Sequence, residues 1–180
     1  MHPSLHRELA RQRQQDLLRA AAHDRPFHLR QLRAADRPAL VDAFSRLSRQ
    51  SRYWRYAAAK ADLTHADLDR LTDVDPPRSD AVGAFLGREL IGVAEYAVGD
   101  EPRGPELGIL VVDDWQRRGV GDALAGLIVR RARALRHPKL HAHVLADNRP
   151  ALRFMRRLGF TPAARDGTFV VHELELGPDP

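Results

Sequence analysis

A short apolar run, a basic turn with two glycines and an apolar stripe follow one another between residues 109 and 135. Residues 109–112 (Ile-Leu-Val-Val) are rich in β-branched side chains and indicate a buried strand. The turn at residues 116–121 leads into apolar residues at helical spacing: Val120, Leu124, Leu127, Ile128 and Leu135. A strand that enters a helix in this way aims free backbone N–H groups and the positive end of the helix dipole at one small volume. We therefore expect the turn to bind phosphate.

Two common phosphate-binding motifs do not fit this turn. A dinucleotide-binding fingerprint needs a third glycine where Leu124 stands, and no early βαβ unit surrounds the turn. The Gly-Lys-Ser/Thr sequence of a P-loop occurs nowhere in the chain. The glycine turn alone is a weak signal, so its identification depends on what accompanies it.

Length and composition predict a single soluble domain. On folding, a chain of 180 residues buries roughly 70% of the surface that it exposes when unfolded. A core of that size is stable without disulfides or other cross-links. Cysteine is absent, which excludes disulfides, thiolate metal sites and an acyl-cysteine intermediate. No apolar run approaches membrane-spanning length, and the first residues lack the order of a signal peptide. We expect a cytoplasmic protein with no membrane partner. The net charge of +5 does not by itself identify a partner.

The order of predicted elements indicates a mixed α/β fold. Residues 1–25 are predicted to be an N-terminal helical extension or an arm, with a helix favoured over about residues 5–22, and residues 26–180 a single domain. The domain reads as strand, helices, three strands, helix, strand, helix and two strands. We expect a mostly antiparallel sheet of about seven strands with helices on both faces. Asp36, Thr64 and Asn148 are predicted helix caps, and Gly87-Arg88 a two-residue hairpin turn.

Taken together, the motifs resemble the GCN5-related N-acetyltransferase superfamily. Its acyl-CoA motif, Gln/Arg-x-x-Gly-x-Gly/Ala, is matched by residues 116–121. Its later Asn-x-x-Ala and Gly-Phe elements are matched by Asn148, Ala151, Gly159 and Phe160. The resemblance extends over residues 27–176. It implies the acyl-CoA N-acyltransferase fold and acetyl-CoA as cosubstrate.

Further details are similar to the acetyltransferase domain of bacterial protein lysine acetyltransferases. They are Leu-Ser-x-x-Ser-Arg-Tyr-x-Arg at residues 47–55, Leu-Thr-x-Val-Asp at residues 71–75 and Val-Asp-Asp-Trp-Gln at residues 112–116. This resemblance implies a protein substrate with an exposed lysine, such as an acyl-CoA synthetase. Many superfamily members place a tyrosine four residues before the helix-ending glycine, to protonate the thiolate. Here that position is Met155.

The backbone of the turn is expected to hold the CoA pyrophosphate, and its two arginines to add charge toward the 3′-phosphate. The resemblance implies that residues 110–112 offer backbone groups to pantetheine and the thioester. Asn148 has two predicted roles, as a helix cap and as a hydrogen-bond partner of the CoA arm. The expected cofactor-binding residues are Leu110, Val111, Val112, Gln116, Arg117, Arg118, Gly119, Val120, Gly121 and Asn148.

A lysine amine with a pKa near ~10.4 must lose a proton before it attacks a thioester. A carboxylate can take that proton, directly or through water. Glu106 is our candidate, because it precedes the buried run and stands where the resembled enzymes carry their catalytic glutamate. An exposed glutamate at a strand end is the alternative reading. Glu95, Asp113, Asp114 and His143 are held in reserve.

Other functions remain open from the sequence. The acceptor could instead be a small amine or a peptide N-terminus, and the chain could be an acyl-CoA-binding module without turnover. Nucleic acid is not expected, because the arginines are scattered and no recognition motif accompanies them. His141 and His143 share a strand face, but two ligands with no evident third do not predict a metal site.

Overall fold

The computed structural model describes residues 26–99 and 103–177. The predicted helix over residues 5–22 lies outside these residues. The described part contains seven strands: β1 (His28–Gln31), β2 (Ser79–Leu86), β3 (Glu89–Val98), β4 (Pro105–Val111), β5 (Lys139–Leu145), β6 (Thr161–Asp166) and β7 (Phe169–Glu175). Its α-helices are α1 (Arg37–Ser45), α2 (Arg49–Tyr56), α3 (His65–Thr72), α4 (Val120–Ala134) and α5 (Arg149–Arg157). Within these two stretches, no helix has the length and apolar character needed to cross a bilayer.

All seven strands form one sheet in the order β1-β2-β3-β4-β5-β7-β6. Neighbouring strands are antiparallel except β4 and β5, which are parallel. Helix α4 makes the crossover that a parallel pair requires. The mixed, mostly antiparallel sheet predicted from the sequence is therefore confirmed.

Helices cover both faces of the sheet, as predicted. Helices α4 and α5 pack on one face through a large apolar cluster that includes Leu124, Ile128 and Met155. Helices α1 and α3 pack on the opposite face through a smaller cluster that includes Leu40 and Leu71. The two clusters separate because successive side chains of a strand point to opposite faces.

Strands β4 and β5 meet at a single registered pair, Glu106 opposite His141. Along β4, Leu107 and Ile109 contact the α4 cluster, so Glu106, Gly108 and Leu110 point to the other face. Beyond the registered pair, β4 continues to Val111 along β3 without a further partner in β5. The two parallel strands therefore diverge toward the end of β4 that leads into the glycine turn.

Two of the three predicted helix caps are present in the structure. Thr64 and Asn148 accept hydrogen bonds from backbone amides in the first turns of α3 and α5, which confirms both. The prediction for Asp36 is wrong, because its side chain makes no cap hydrogen bond. Its carboxylate accepts instead from the Arg30 guanidinium, at 2.6 and 2.8 Å, and from the backbone amide of Arg33. A bidentate guanidinium is a stronger partner for a carboxylate than a single amide.

Helix α2 is fastened to the turn after β4 by Asp113. Its carboxylate accepts hydrogen bonds from the Ser48 amide at 2.8 Å and from the Ser51 hydroxyl at 2.5 Å. Ser48 is also the N-cap of α2. Burial raises the pKa of Asp113, but the hydrogen bonds from Ser51 and Ser48 outweigh burial and hold the pKa below its usual value. The ionised carboxylate therefore stabilises this contact.

Replacing Gly92 by alanine should destabilise the protein. A Cβ there would lie 2.9 Å from Leu124 Cδ1, 3.1 Å from Val120 Cγ1 and 3.1 Å from the Leu110 carbonyl oxygen. We expect a loss of about 1–3 kcal/mol in the free energy of unfolding, measured in urea, because the core is overpacked. Gly99→Ala is the matched control, since a Cβ there meets nothing within 4 Å. Equal stability of the two variants would contradict this packing.

Replacing Asp113 by asparagine should destabilise the protein most at neutral pH. A carboxyl with a lowered folded-state pKa contributes stability above its unfolded value, near ~3.9, and loses it as the pH falls further. The difference in free energy of unfolding between wild type and Asp113→Asn should therefore shrink from pH 7 to about pH 3. Exposed Asp114 gives the control variant Asp114→Asn. A difference that stays constant with pH would argue against an ionised Asp113 in this contact.

Candidate active site

The glycine turn forms the N-terminus of α4. Gly119 is the N-cap, with φ 79°, and Arg117 also has a positive φ of 59°. A left-handed conformation is accessible to glycine without a steric cost, which explains Gly119. The first-turn amides of α4 have no intrahelical acceptor. Arg117, Arg118 and Gly119 are exposed, so the positive helix end and two guanidinium groups lie together at the surface.

Helix α5 packs closely against the start of α4. A Cβ on Gly121 would lie 3.4 Å from the Phe154 ring, in van der Waals contact with it, so the two helices lie side by side here. Arg157 in α5 donates to both carboxylate oxygens of Asp122 in α4, at 2.8 and 3.0 Å. This pair holds the Asp122 carboxylate beside α5. Asp122 is nevertheless an acidic residue in the first turn, where an anionic ligand would approach.

Gln116 belongs to the predicted motif, and its side chain holds the turn together. Its Nε2 donates to the Val111 carbonyl at 3.1 Å, to Asp113 Oδ1 at 2.9 Å and toward Ser51 Oγ at 3.3 Å. These contacts join β4, the turn and α2. Sequence reasoning assigned Gln116 to the cofactor and missed this structural role, because its partner Ser51 is 65 residues away.

The backbone of β4 presents only some of its groups to the gap beside β5. The Val112 amide donates to the Ile91 carbonyl of β3 at 3.0 Å. Since hydrogen-bonded and non-bonded pairs alternate along antiparallel strands, Leu110 also faces β3. The backbone groups of Ile109 and Val111 point toward β5 instead. Of the three predicted residues, only Val111 therefore faces the gap. Ile109, which the sequence analysis left out, joins it.

The N-cap of α5 and one residue within α5 were singled out in the sequence analysis. Asn148 is buried and its Oδ1 accepts from the Ala151 amide at 3.1 Å, so the cap role is present. Met155 is also buried, within the cluster beneath the sheet. A thioether has no proton to donate. Met155 therefore offers nothing to a departing thiolate.

Glu106 lies beside His143 at the end of the gap where β4 and β5 are still paired. The Glu106 side chain is 53% exposed, and its Oε1 is 3.3 Å from His143 Nδ1. The other ring nitrogen of His143 lies 4.0 Å from Asp166 in β6. The His141 and His143 rings meet edge to face, with centroids 5.3 Å apart. Strand pairing thus brings a carboxylate to the two histidines, a neighbour that the sequence analysis did not find.

The reserve carboxylates are occupied elsewhere or face solvent. Glu95 is buried and forms ion pairs with Arg55 and Arg70. Asp113 fastens α2, as described above. Asp114 is exposed. Glu106 and its neighbour His143 therefore remain the best-placed groups for proton transfer.

A pocket on the Glu106 face of β4 lies beneath helices α1–α3. Its lining is mostly apolar, with the Arg55–Glu95 ion pair at one side. A Cβ on Gly108 would overlap the Arg55 guanidinium, so glycine makes room for this pair. The pocket is lined by Leu40, Ala43, Phe44, Arg55, Tyr56, Leu63, Leu71, Val93, Glu95, Gly108 and Leu110. Gly108 is two residues from Glu106 on the same face of β4, so the pocket begins one strand position from the carboxylate.

Comparisons with known proteins identify relatives of the chain and of its fold. A mycothiol acetyltransferase from Jonesia denitrificans is 30% identical over an alignment of 153 residues that covers 78% of this chain and 46% of that relative. The chain therefore spans about half the length of that relative. The GNAT domain of S. lividans PAT matches with a TM-score of 0.77 and 27% identity, covering 82% of this chain and 89% of that one.

The PaiA N-acetyltransferase from Thermoplasma acidophilum, solved in complex with coenzyme A, shares the fold. Its TM-score is 0.63 at 17% identity, over 83% of this chain and 98% of that one. The model of the Acetyltransferase (GNAT) family matches residues 40–160. With more than half of its length matched by that model, the chain belongs to the GNAT acetyltransferase family.

Proposed function

We propose that this chain transfers the acetyl group of acetyl-CoA to a lysine side chain of a protein, by direct attack in a ternary complex. The observation that carries the proposal is the gap between β4 and β5, with the glycine turn at one end and Glu106 at the other. The proposal assigns this chemistry to one catalytic domain over residues 26–180. Residues 1–25 are an N-terminal extension in this assignment.

In the proposed complex, the backbone amides of residues 118–121 hold the pyrophosphate of acetyl-CoA. The positive end of α4 and the exposed guanidinium groups of Arg117 and Arg118 favour its negative charge. The outward-facing backbone groups of Ile109 and the Val111 amide pair with the pantetheine arm, as an additional strand would, while the Val111 carbonyl accepts from Gln116. The Asn148 side chain lies at the start of α5, beside the same gap.

Glu106 is the proposed general base. Its carboxylate accepts the proton of the lysine ammonium, directly or through one water, and so frees the nitrogen lone pair. The nitrogen then forms a bond to the thioester carbonyl carbon, and the bond from that carbon to sulfur breaks. The thiolate of CoA leaves with the electron pair. Holding both reactants in one gap supplies much of the acceleration.

The proposal of a protein lysine as acceptor rests on two supports. The motifs at residues 47–55, 71–75 and 112–116 are similar to those of bacterial protein lysine acetyltransferases, and the GNAT domain of S. lividans PAT is 27% identical. The pocket beside Glu106 is mostly apolar, which suits the aliphatic stem of a lysine. An acyl-CoA synthetase is the candidate protein substrate.

A small amine is the second candidate acceptor. It is favoured by the 30% identity to a mycothiol acetyltransferase. The pocket contains the Arg55–Glu95 ion pair, which gives it polar groups to orient a small polar molecule. Turnover of small amines with no acetylation of protein lysines would favour this candidate over the first.

Removing both turn arginines should weaken the binding of acetyl-CoA. We expect the variant Arg117→Ala/Arg118→Ala to bind at least about tenfold less tightly in calorimetry, because charge-assisted hydrogen bonds contribute about 1.5–3 kcal/mol each. Arg130→Ala is the matched control, since Arg130 is an exposed arginine near the other end of α4. No heat of binding with folded wild-type protein would contradict the whole proposal.

Replacing Glu106 by glutamine should remove acetyl transfer while acetyl-CoA binding persists. We expect a fall in kcat of about 10²–10⁴-fold, because the amide cannot accept the proton. The measurement is mass spectrometry of an acyl-CoA synthetase and of a panel of small amines after incubation with acetyl-CoA. Glu175→Gln is the control, since Glu175 is an exposed strand glutamate. If wild type binds acetyl-CoA yet neither protein acetylates any acceptor, the chain is a binding module.

A further inference from the structure

Three metal-ligating side chains share one face of β4 and β5. Glu106 lies opposite His141 in the only registered pair of these strands, and His143 is two residues farther along β5. Residues i and i+2 of a strand point to the same face. We propose that Glu106, His141 and His143 form a binding site for a divalent transition-metal ion of the zinc class.

The geometry brings the three groups close to coordination distance. One ligand atom from each residue lies within 4.8 Å of the other two. Tetrahedral zinc, with bonds near 2.0–2.1 Å, holds nitrogen and oxygen ligands about 3.4 Å apart. Glu106 Oε1 and His143 Nδ1 already meet that spacing, at 3.3 Å. The other separations are at most 4.8 Å, so side-chain movements of roughly 1–1.5 Å bring all three ligands to one ion.

A second carboxylate lies near His143, beyond hydrogen-bond distance but within reach of its other ring nitrogen after a small movement. Its Nδ1 faces Glu106, whereas its Nε2 lies 4.0 Å from Asp166 Oδ2. Histidines that ligate metals almost always direct the other ring nitrogen to a carboxylate, carbonyl or water. The edge-to-face contacts of the His143 ring with His141 and Phe169 restrict its orientation further. The arrangement therefore includes an outer partner as well as three ligands.

The ligand types select the class of ion. Two imidazoles and one carboxylate suit zinc and similar transition metals, whereas magnesium and calcium prefer oxygen ligands alone. Two carboxylates, Glu106 and Asp166, give this face negative charge. The nearby Glu173 is paired with Lys139 at 3.1 Å, so it adds little net charge. With three protein ligands, a fourth position on the ion stays open.

The site has a consequence that rests on the proposed function. The Glu106 carboxylate cannot both ligate a cation and accept the proton of the lysine ammonium. Zinc should therefore inhibit acetyl transfer, and a chelator should restore it. The metal site is therefore tested by zinc binding alone, without acetyl-CoA or acceptor, and the activity of the His143→Gln variant is not used as a readout.

Calorimetry with zinc sulfate and chelator-treated, full-length protein tests the site. We expect wild type to bind one more equivalent of zinc than either of the single variants His143→Gln and Glu106→Gln. Asp166→Asn should weaken this binding about tenfold or more, as loss of an outer carboxylate does. His65→Gln is the control, since His65 is an exposed histidine outside the cluster. The comparison between variants removes any contribution from His2, His6 and His23.

Two results separate this inference from the proposed function. Equal stoichiometry and affinity for zinc in wild type, His143→Gln and Glu106→Gln would overturn the metal site. Circular dichroism of each variant checks that it is folded. The Asp166→Asn variant should fold normally, because it changes only a side chain that is 63% exposed. Absence of acetyl transfer by metal-free wild type would contradict the proposed function alone, because zinc binding is measured without acetyl-CoA or acceptor.

Discussion

The divergence of β4 from β5 is the constraint around which the candidate site is arranged. Strand β4 is hydrogen-bonded to β3 along its length, whereas its parallel partner β5 is registered with it only at Glu106 and His141. A parallel pair needs a crossover helix, and α4 fills that place on one face. Beyond the registered pair, the gap between β4 and β5 exposes backbone groups of β4 beside the N-terminus of α4. The first-turn amides of α4 and a carboxylate thus lie at opposite ends of one opening.

Ionic and hydrogen-bonded contacts hold the elements around this opening. Asp80 is buried in β2, where its carboxylate pairs with Arg131 of α4 and accepts from the Ala81 amide. Burial, followed by the charge of Asp80, raises the pKa of nearby Tyr96 to about 12, so the phenol stays protonated. On the other face, Asp113 fastens α2. The helix that carries the glycine turn and the helix above the pocket are therefore both held by buried or partly buried carboxylates.

The position of Glu106 links the two proposals. It is half-exposed at a strand end, which suits a base that exchanges protons with solvent, and it faces two histidines across the parallel pair. The same carboxylate cannot serve a proton and a cation together. Under the two proposals, acetyl transfer and metal binding are alternative states of one site, and the ligand that is present decides between them. Substrate binding and metal binding would then compete without any change of fold.

The amino-acid sequence by itself determined the features that depend on a few neighbouring residues. The strand before the glycine turn, the caps at Thr64 and Asn148 and the two-residue turn after β2 follow from side chains within about four positions of each other. Tertiary structure decided which partner a polar group takes. Asp36 pairs with Arg30, Gln116 donates toward Ser51, and Glu106 lies near histidines that are 35 and 37 residues later in the chain. Those choices depend on strand register and on the parallel β4–β5 pair, which bring together residues that no local pattern connects.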